Sequence, residues 1–182
     1  MSAVRRLGRR TAVAALCVAV ALPVLGGPAA ADVRVFRDRS GDTGVGSDVT
    51  RVRVDHGGGS GRVRVATRVG DLSTDDVITL FIDVRRRDGG PEYVVRVQPN
   101  SAGPVLRAIE RWRGRGAVVR CPRLRARADA FGPDRVAISV PRGCIRRPGR
   151  VRVAVRARFG YPNRVVVDWA PRKHRLFGPV PR

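Results

Sequence analysis

The sequence has few acidic residues, a single lysine, few aromatic residues and almost no long apolar segments. Fifteen aspartate and glutamate residues stand against 37 lysine and arginine residues, a net charge of +22, which excludes an acidic protein. Lys173 is the only lysine, so coding bias explains part of the arginine content. Apart from one stretch near the amino terminus no long uncharged run exists, which excludes a bundle of transmembrane helices. An apolar fraction of 43% argues against wholesale disorder.

The amino terminus has the order of a secretory signal peptide. Four arginines between residues 5 and 10 precede an uncharged stretch over residues 11–25, and three alanines ending at Ala31 follow a glycine-proline break. A basic region, a short apolar core and small residues at a cleavage site define such a leader. We predict cleavage after Ala31 and a secreted protein of residues 32–182 with a net charge of +18, because four arginines are lost and no acid. An uncleaved anchor is the alternative, and general or twin-arginine export both stay open.

Two cysteines remain after cleavage, Cys121 and Cys144. In an oxidising compartment an even pair predicts a disulfide, with a metal site or a reactive thiol as alternatives. Both cysteines are equally distant in sequence from the turn at 132–133, so the bond would close the open end of one hairpin. Pairing the apolar residues of the two arms needs a register shifted by one residue, which predicts a β-bulge near 141–143.

The region after the leader favours β-strands. It holds 26 valines and 5 isoleucines against 5 leucines and no methionine, a ratio that suits a pleated sheet. Valine alternates with arginine in residues 51–54 and 62–65 and with arginine or alanine in residues 150–155. The continuous apolar run 77–82 predicts a central strand buried on both faces. Segment 105–112 fits a strand or a helix, and we favour a strand. Residues 32–182 therefore predict a single antiparallel β-sandwich, jelly-roll or immunoglobulin-like, of about nine to ten strands with one disulfide.

The glycine-rich segment from His56 to Gly61 resembles two esterase signals. The nucleophile elbow needs a glycine where Arg62 stands, and a hairpin turn between two strands explains the same residues. A small secreted hydrolase depending on Ser60 and His56 is therefore only a second alternative. We predict no catalytic residue and no enzyme activity.

Three aspartates, Asp38, Asp42 and Asp48, fall in one glycine-rich loop and are weak candidates for calcium ligands. Their spacing does not match an EF-hand, and acids in a cationic protein commonly pair with arginine. We predict no cofactor, with calcium as the alternative.

Arginines at every second strand position are the strongest chemical feature. They project from one sheet face about 7 Å apart and present forked donors to phosphates or carboxylates. The predicted polyanion-binding residues are Arg51, Arg53, Arg62 and Arg64, on one hairpin face, and Arg150, Arg152 and Arg156 as a second stripe. A solvated outer face without a ligand is the alternative. We expect the aromatic residues Tyr93, Trp112, Tyr161 and Trp169 in the core.

Four short segments carry a resemblance to known proteins: Phe81-Ile82-Asp83, Gly90-Pro91-Glu92-Tyr93, Val140-Pro141-Arg142-Gly143-Cys144 and Asp168-Trp169-Ala170-Pro171. They resemble a group of uncharacterised secreted proteins of actinobacteria, which in turn distantly resembles family-9-type carbohydrate-binding and DOMON-like β-sandwich domains. The resemblance implies one sandwich and ligand binding in place of catalysis.

We therefore predict a secreted, monomeric, non-catalytic binding protein. Its expected partner is an anionic polymer of the cell envelope or surroundings, such as a teichoic-acid-like or uronic polymer, and nucleic acid would bind without sequence specificity. No stable membrane insertion is expected after cleavage. A carbohydrate-binding, lectin-like module, with or without calcium, is the alternative.

Overall fold

The computed structural model describes residues 33–41, 46–57, 59–85, 87, 89–100, 103–113, 115–161 and 164–182. The predicted signal peptide with its cleavage site at Ala31, and Asp42 of the predicted calcium loop, lie outside the described residues. None of the described residues forms a helix long and apolar enough to cross a bilayer.

The described chain forms eleven strands in two antiparallel sheets, as the alternating valines predicted. The first sheet, in spatial order, contains β1 (Val33–Arg37), β2 (Asp48–His56), β3 (Arg62–Gly70), β8 (Arg135–Pro141) and β7 (Arg125–Asp129). The second contains β10 (Arg164–Ala170), β9 (Arg150–Tyr161), β4 (Val77–Asp83), β5 (Tyr93–Val97) and β6 (Val105–Ala108). A short carboxy-terminal strand, β11 (Val180–Pro181), also pairs with β9.

One core lies between the two sheets. Valines and isoleucines from both sheets, such as Val54 and Ile138 opposite Leu80 and Val153, belong to a single buried cluster. Because side chains alternate along a strand, the residues between these positions point away from the core. The β-sandwich and its disulfide are thus confirmed, with one strand more than the largest number expected.

The run 77–82 becomes β4, which is buried along nearly its whole length, as predicted. Ile78, Leu80 and Ile82 face the main core, whereas Phe81 lies in a second small cluster on the outer side of the second sheet. Because β4 is covered on both faces, apolar residues occupy successive positions and do not alternate with polar ones. The ambiguous segment divides: its first half forms strand β6, and Trp112 follows outside the strand.

Cys121 and Cys144 form the predicted disulfide, with their Cα atoms 5.8 Å apart. The hairpin β7–β8 has the register predicted from its apolar residues, with Ala126 opposite Ile138. The predicted bulge at 141–143 is wrong. A 3-10 turn, Arg142–Ile145, follows β8 directly and carries Cys144 to its partner, so a turn of the chain absorbs the one-residue offset.

A bulge does occur in β2, between Val49 and Arg51. Thr50 is the extra residue, so Val49 and Val52 both face the core while Arg51 faces outward. The bulge therefore sets the phase that places the following arginines on the outer face of the first sheet.

Candidate polyanion-binding face

The outer face of the first sheet is dominated by arginine. Strand pairing aligns its outward residues in rows that run across the strands. One row is Arg37, Arg51, Arg68, Arg135 and Asp129; the next is Val35, Arg53, Ala66, Ala137 and Arg127; the third is Val33, Asp55, Arg64, Ser139 and Arg125. Together with Arg62 on β3, the nine arginines of this surface form what we call the arginine face. Only two acids, Asp55 and Asp129, stand among them.

The first four predicted residues do share one surface. Arg51, Arg53 and Arg64 are exposed on neighbouring strands, and Arg62 is half-buried at the start of β3. Five further arginines of the same face were not predicted: Arg37, Arg68, Arg125, Arg127 and Arg135. The alternation in residues 124–128 indicates that Arg125 and Arg127 share a side of β7. The pairing of β3 with β8 joins segments that are distant in sequence, so no local pattern indicates that Arg68 and Arg135 lie side by side.

Arg62 is held in place by the chain. Its Nε donates a hydrogen bond to Ser139 Oγ at 2.6 Å, and its Nη2 donates to the carbonyls of Ser139 at 2.9 Å and Arg123 at 2.6 Å. Burial lowers the pKa of Arg62, and the positive charges of Arg125, Arg64 and Arg123 lower it further. The surroundings of Arg62 are therefore positively charged. The side chain still stays protonated, because the ordinary pKa of arginine lies far above neutral pH.

Most other guanidinium groups of the arginine face have no partner within the described part of the chain. The exception is Arg64, whose Nη1 lies 3.6 Å from Asp55 Oδ2, a long and partly exposed ion pair. The side chains of Arg51, Arg53, Arg68, Arg127 and Arg135 make no hydrogen bond or ion pair among the described residues. Their donors therefore face solvent and are open to a ligand.

The second predicted stripe lies on the opposite side of the molecule. Arg150, Arg152 and Arg156 belong to β9 and point outward from the second sheet, so they do not join the arginine face. Arg152 Nε donates to the buried Asp83 Oδ2 at 2.5 Å. The Arg156 guanidinium lies over the rings of Phe81 and Trp169, 5.7 and 5.4 Å from their centroids. Two of the three arginines are thus bound internally.

The two tryptophans lie outside the main core, contrary to the expectation. Trp112 and Trp169 are half-buried on the outer side of the second sheet, where they contact Phe81, each other and His174. We call this surface, with Arg156, the tryptophan face. Tyr93, by contrast, is buried in the main core as expected, and the side chain of Tyr161 lies outside the described residues.

Burial also lowers the pKa of Arg156, and the charges of Arg96 and Arg158 lower it further. The Arg156 side chain is only partly exposed, and its Nη2 lies 3.4 Å from Thr79 Oγ1. A cation that lies against two aromatic rings is stabilised in that position, and it has fewer free donors for a ligand than an exposed arginine.

The residues of the hydrolase alternative are not brought into a catalytic arrangement. His56 is fully buried at the end of β2, and its Nδ1 donates to the Val180 carbonyl at 3.0 Å. Ser60 is exposed in the hairpin loop before β3. The imidazole is therefore engaged with the carboxy-terminal strand, and burial lowers its pKa, assisted by the charges of Arg142 and Arg182.

The described part of the predicted calcium loop is held by local hydrogen bonds. Asp48 Oδ2 accepts a hydrogen bond from the Gly41 amide at 2.7 Å. Among the described residues no group of three or more histidine, cysteine or acidic side chains is arranged to hold a metal ion. Calcium binding by Asp38, Asp42 and Asp48 stays an untested alternative.

Compared with known proteins, the chain matches no family model, no curated protein and no solved structure. The resemblance to carbohydrate-binding and DOMON-like sandwiches therefore stays a prediction from four short sequence motifs.

Proposed function

We propose that this protein binds an anionic polymer through the arginine face of its first sheet. The proposal rests on one observation above all: four arginines, Arg37, Arg51, Arg68 and Arg135, stand directly opposite one another on four paired strands. Like charges directly opposite each other destabilise a sheet. A bound polyanion would offset that cost.

The dimensions of this row suit an extended ligand. Neighbouring strands lie about 4.8 Å apart, so four paired arginines extend over about 14 Å. The next row lies about 7 Å away along the strands. Repeating anionic groups along a flexible chain would meet a two-dimensional array of forked donors, each able to bind a carboxylate or a phosphate through two nitrogens.

The charge of the rest of the chain acts in the same direction. After the predicted cleavage the net charge is +18, because 33 cationic side chains stand against 15 acidic ones. Such an excess attracts polyanions over a distance set by the ionic strength. The general field brings the ligand in, and the arginine face supplies the short contacts.

Retention of the purified protein on isolated cell-wall material and on double-stranded DNA, over a series of sodium chloride concentrations, tests the proposal. The test variant replaces Arg51, Arg53, Arg68 and Arg135 by Gln, since these side chains have no internal partner whose loss would disturb the fold. We expect this variant to elute at lower salt, with the slope of log affinity against log salt reduced by about 3 to 4.

The matched control replaces four exposed arginines outside the first sheet, Arg113, Arg115, Arg172 and Arg175, by Gln, with the same loss of charge. It should keep most of the retention and most of the salt slope. Equal losses in both variants would show that net charge, not the arginine face, governs binding, and would overturn the proposal. Release by a chelator or a neutral sugar but not by salt would favour the lectin-like alternative instead.

A further inference from the structure

The arginine face is not flat, because alanines interrupt its middle row. A groove of about 700 Å³ opens on this face, and its apolar lining includes Ala66 and Ala137 together with Pro104, Leu124 and Ala126. Ala66 and Ala137 are direct partners across β3 and β8. Their methyl groups are much shorter than the arginine side chains of the rows on either side, so the middle of the face is depressed and apolar.

Arginines surround this apolar floor on four sides. Arg53 on β2 and Arg127 on β7 stand at the two ends of the alanine row. Arg135 precedes Ala137 by two residues on β8, and Arg64 precedes Ala66 by two on β3, so they border the row from its other two sides. All four side chains line the groove.

The four arginines around the floor, which we call the rim, have few internal partners. Within the described residues only Arg64, of these four, has an ion-pair partner, Asp55, and that pair is 3.6 Å long and partly exposed. The smaller depression next to the groove, of about 290 Å³, is also lined by Arg53, Arg135 and Ala66, together with Arg51 and Arg68. The binding surface therefore continues beyond the groove in the direction of the four-arginine row.

An apolar floor inside a rim of arginines favours a ligand that has both a carbon surface and an anionic group. A carbon-free chain such as inorganic polyphosphate can satisfy the arginines but leaves the methyl groups of Ala66 and Ala137 in contact with its oxygens. A sugar ring that bears an acidic group has both parts: C–H groups that can cover the floor and a peripheral anion that reaches the rim. Burying carbon on carbon adds a stabilising contribution that charge alone does not provide.

We propose that the groove binds an acidic sugar residue of a polysaccharide, with a C–H face of the ring against Ala66 and Ala137 and the anionic group on Arg53, Arg64, Arg127 or Arg135. This inference rests on the proposed function and deepens it, because it names the repeating unit of the anionic polymer. The acidic group is a carboxylate or a phosphate ester, which both match the guanidinium fork.

The test fills the groove without changing any charge. The Ala137→Leu variant places a larger apolar side chain on the floor, and Ala117→Leu, at an exposed position outside the first sheet, is the matched control. Isothermal titration calorimetry at one salt concentration measures binding of an oligogalacturonate, of a phosphorylated oligosaccharide and of inorganic polyphosphate. We expect Ala137→Leu to weaken at least one of the two oligosaccharides by about tenfold or more, and polyphosphate by no more than about twofold.

Which oligosaccharide is affected distinguishes the carboxylate from the phosphate ester. Equal weakening of all three ligands, or none, would overturn the acidic-sugar inference while leaving the polyanion proposal in place, since that proposal depends on the arginine variants. Tighter binding of duplex DNA than of either oligosaccharide by the unaltered protein would also overturn it. Should Ala137→Leu fail to fold, Ala66→Val narrows the same floor by a smaller change and gives the same comparison.

Discussion

The outer faces of the two sheets carry the same residue type and use it differently. On the arginine face the cross-strand partners of the arginines are mostly other arginines or alanines, as with Arg51 opposite Arg68. On the outer side of the second sheet Arg152 stands opposite Asp83, and Arg156 stands opposite Trp169. Alternating arginines therefore do not by themselves mark a binding surface. The residue on the neighbouring strand in the same row decides whether an arginine is bound internally or left for a ligand.

The largest expected effect on stability comes from removing the aromatic ring at the centre of the tryptophan face. Phe81→Ala should lower the free energy of unfolding by about 3 to 5 kcal/mol, because the ring is 1% exposed and packs against both tryptophans. Urea denaturation followed by tryptophan fluorescence and circular dichroism measures the change. Phe131→Ala, at a residue that is 92% exposed, is the matched control and should leave the stability unchanged.

Similar midpoints for Phe81→Ala and the unaltered protein would show that the tryptophan face is not a structural unit. Its half-exposed tryptophans would then have to be considered as a ligand-binding surface. We expect the reverse on the arginine face, where substitutions should affect ligand retention far more than the stability of the fold.

A smaller effect separates the two kinds of arginine. Arg152→Gln should lower the free energy of unfolding by about 2 to 3 kcal/mol, because it leaves the buried Asp83 carboxylate without its ion pair. The value lies below that of a fully buried pair because the Arg152 side chain is 33% exposed. Arg53→Gln on the arginine face, measured in the same urea titration, should change stability by no more than about 0.5 kcal/mol.

Adding Asp83→Asn to Arg152→Gln removes the orphaned charge and should recover part of the loss. Equal effects of Arg152→Gln and Arg53→Gln would contradict the division into bound and free arginines.

Much of the arrangement of the arginines could be predicted from the sequence, but not all of it. Alternation of arginine with valine placed Arg51, Arg53, Arg62 and Arg64 on one face, because the side-chain period of a strand is fixed at two. The hairpin β7–β8 was predictable in register, since its strands are neighbours in the chain and its apolar faces must match. The disulfide was predictable from the even pair of cysteines that remains after the predicted cleavage.

The rest depended on contacts between distant segments. No local pattern specifies that β3 pairs with β8, and that pairing alone brings Arg135 beside Arg68 and Ala137 beside Ala66. Likewise, the partners of Arg152 come from β4, a strand about seventy residues earlier in the chain. Periodicity tells which side of a strand a residue occupies, whereas topology decides what it meets there.

The buried His56 extends the comparison to pH. Burial lowers the pKa of His56, so below about pH 6.5 the unfolded chain binds a proton that the folded protein does not. Stability is therefore full above that pH and falls as the pH decreases, by at most about 1.4 kcal/mol per pH unit from this group. Urea titrations at intervals from pH 7.5 to about 5 measure the slope.

His56→Asn keeps a donor toward the Val180 carbonyl but does not titrate, so its stability should fall less steeply over the same range. A slope that His56→Asn leaves unchanged would show that other groups govern the pH dependence.

The smallest expected effect concerns the row of opposed arginines itself. Arg68 stands between Arg51 and Arg135, so Arg68→Gln should raise the free energy of unfolding by about 0.5 kcal/mol at low ionic strength. The gain should shrink as salt screens the repulsion. Arg127→Gln is the control, because Arg127 lies on the same face opposite Ala137 and should show no gain. A loss of stability in Arg68→Gln would mean that the row imposes no cost, and relief of that cost by a polyanion would no longer support the proposed function.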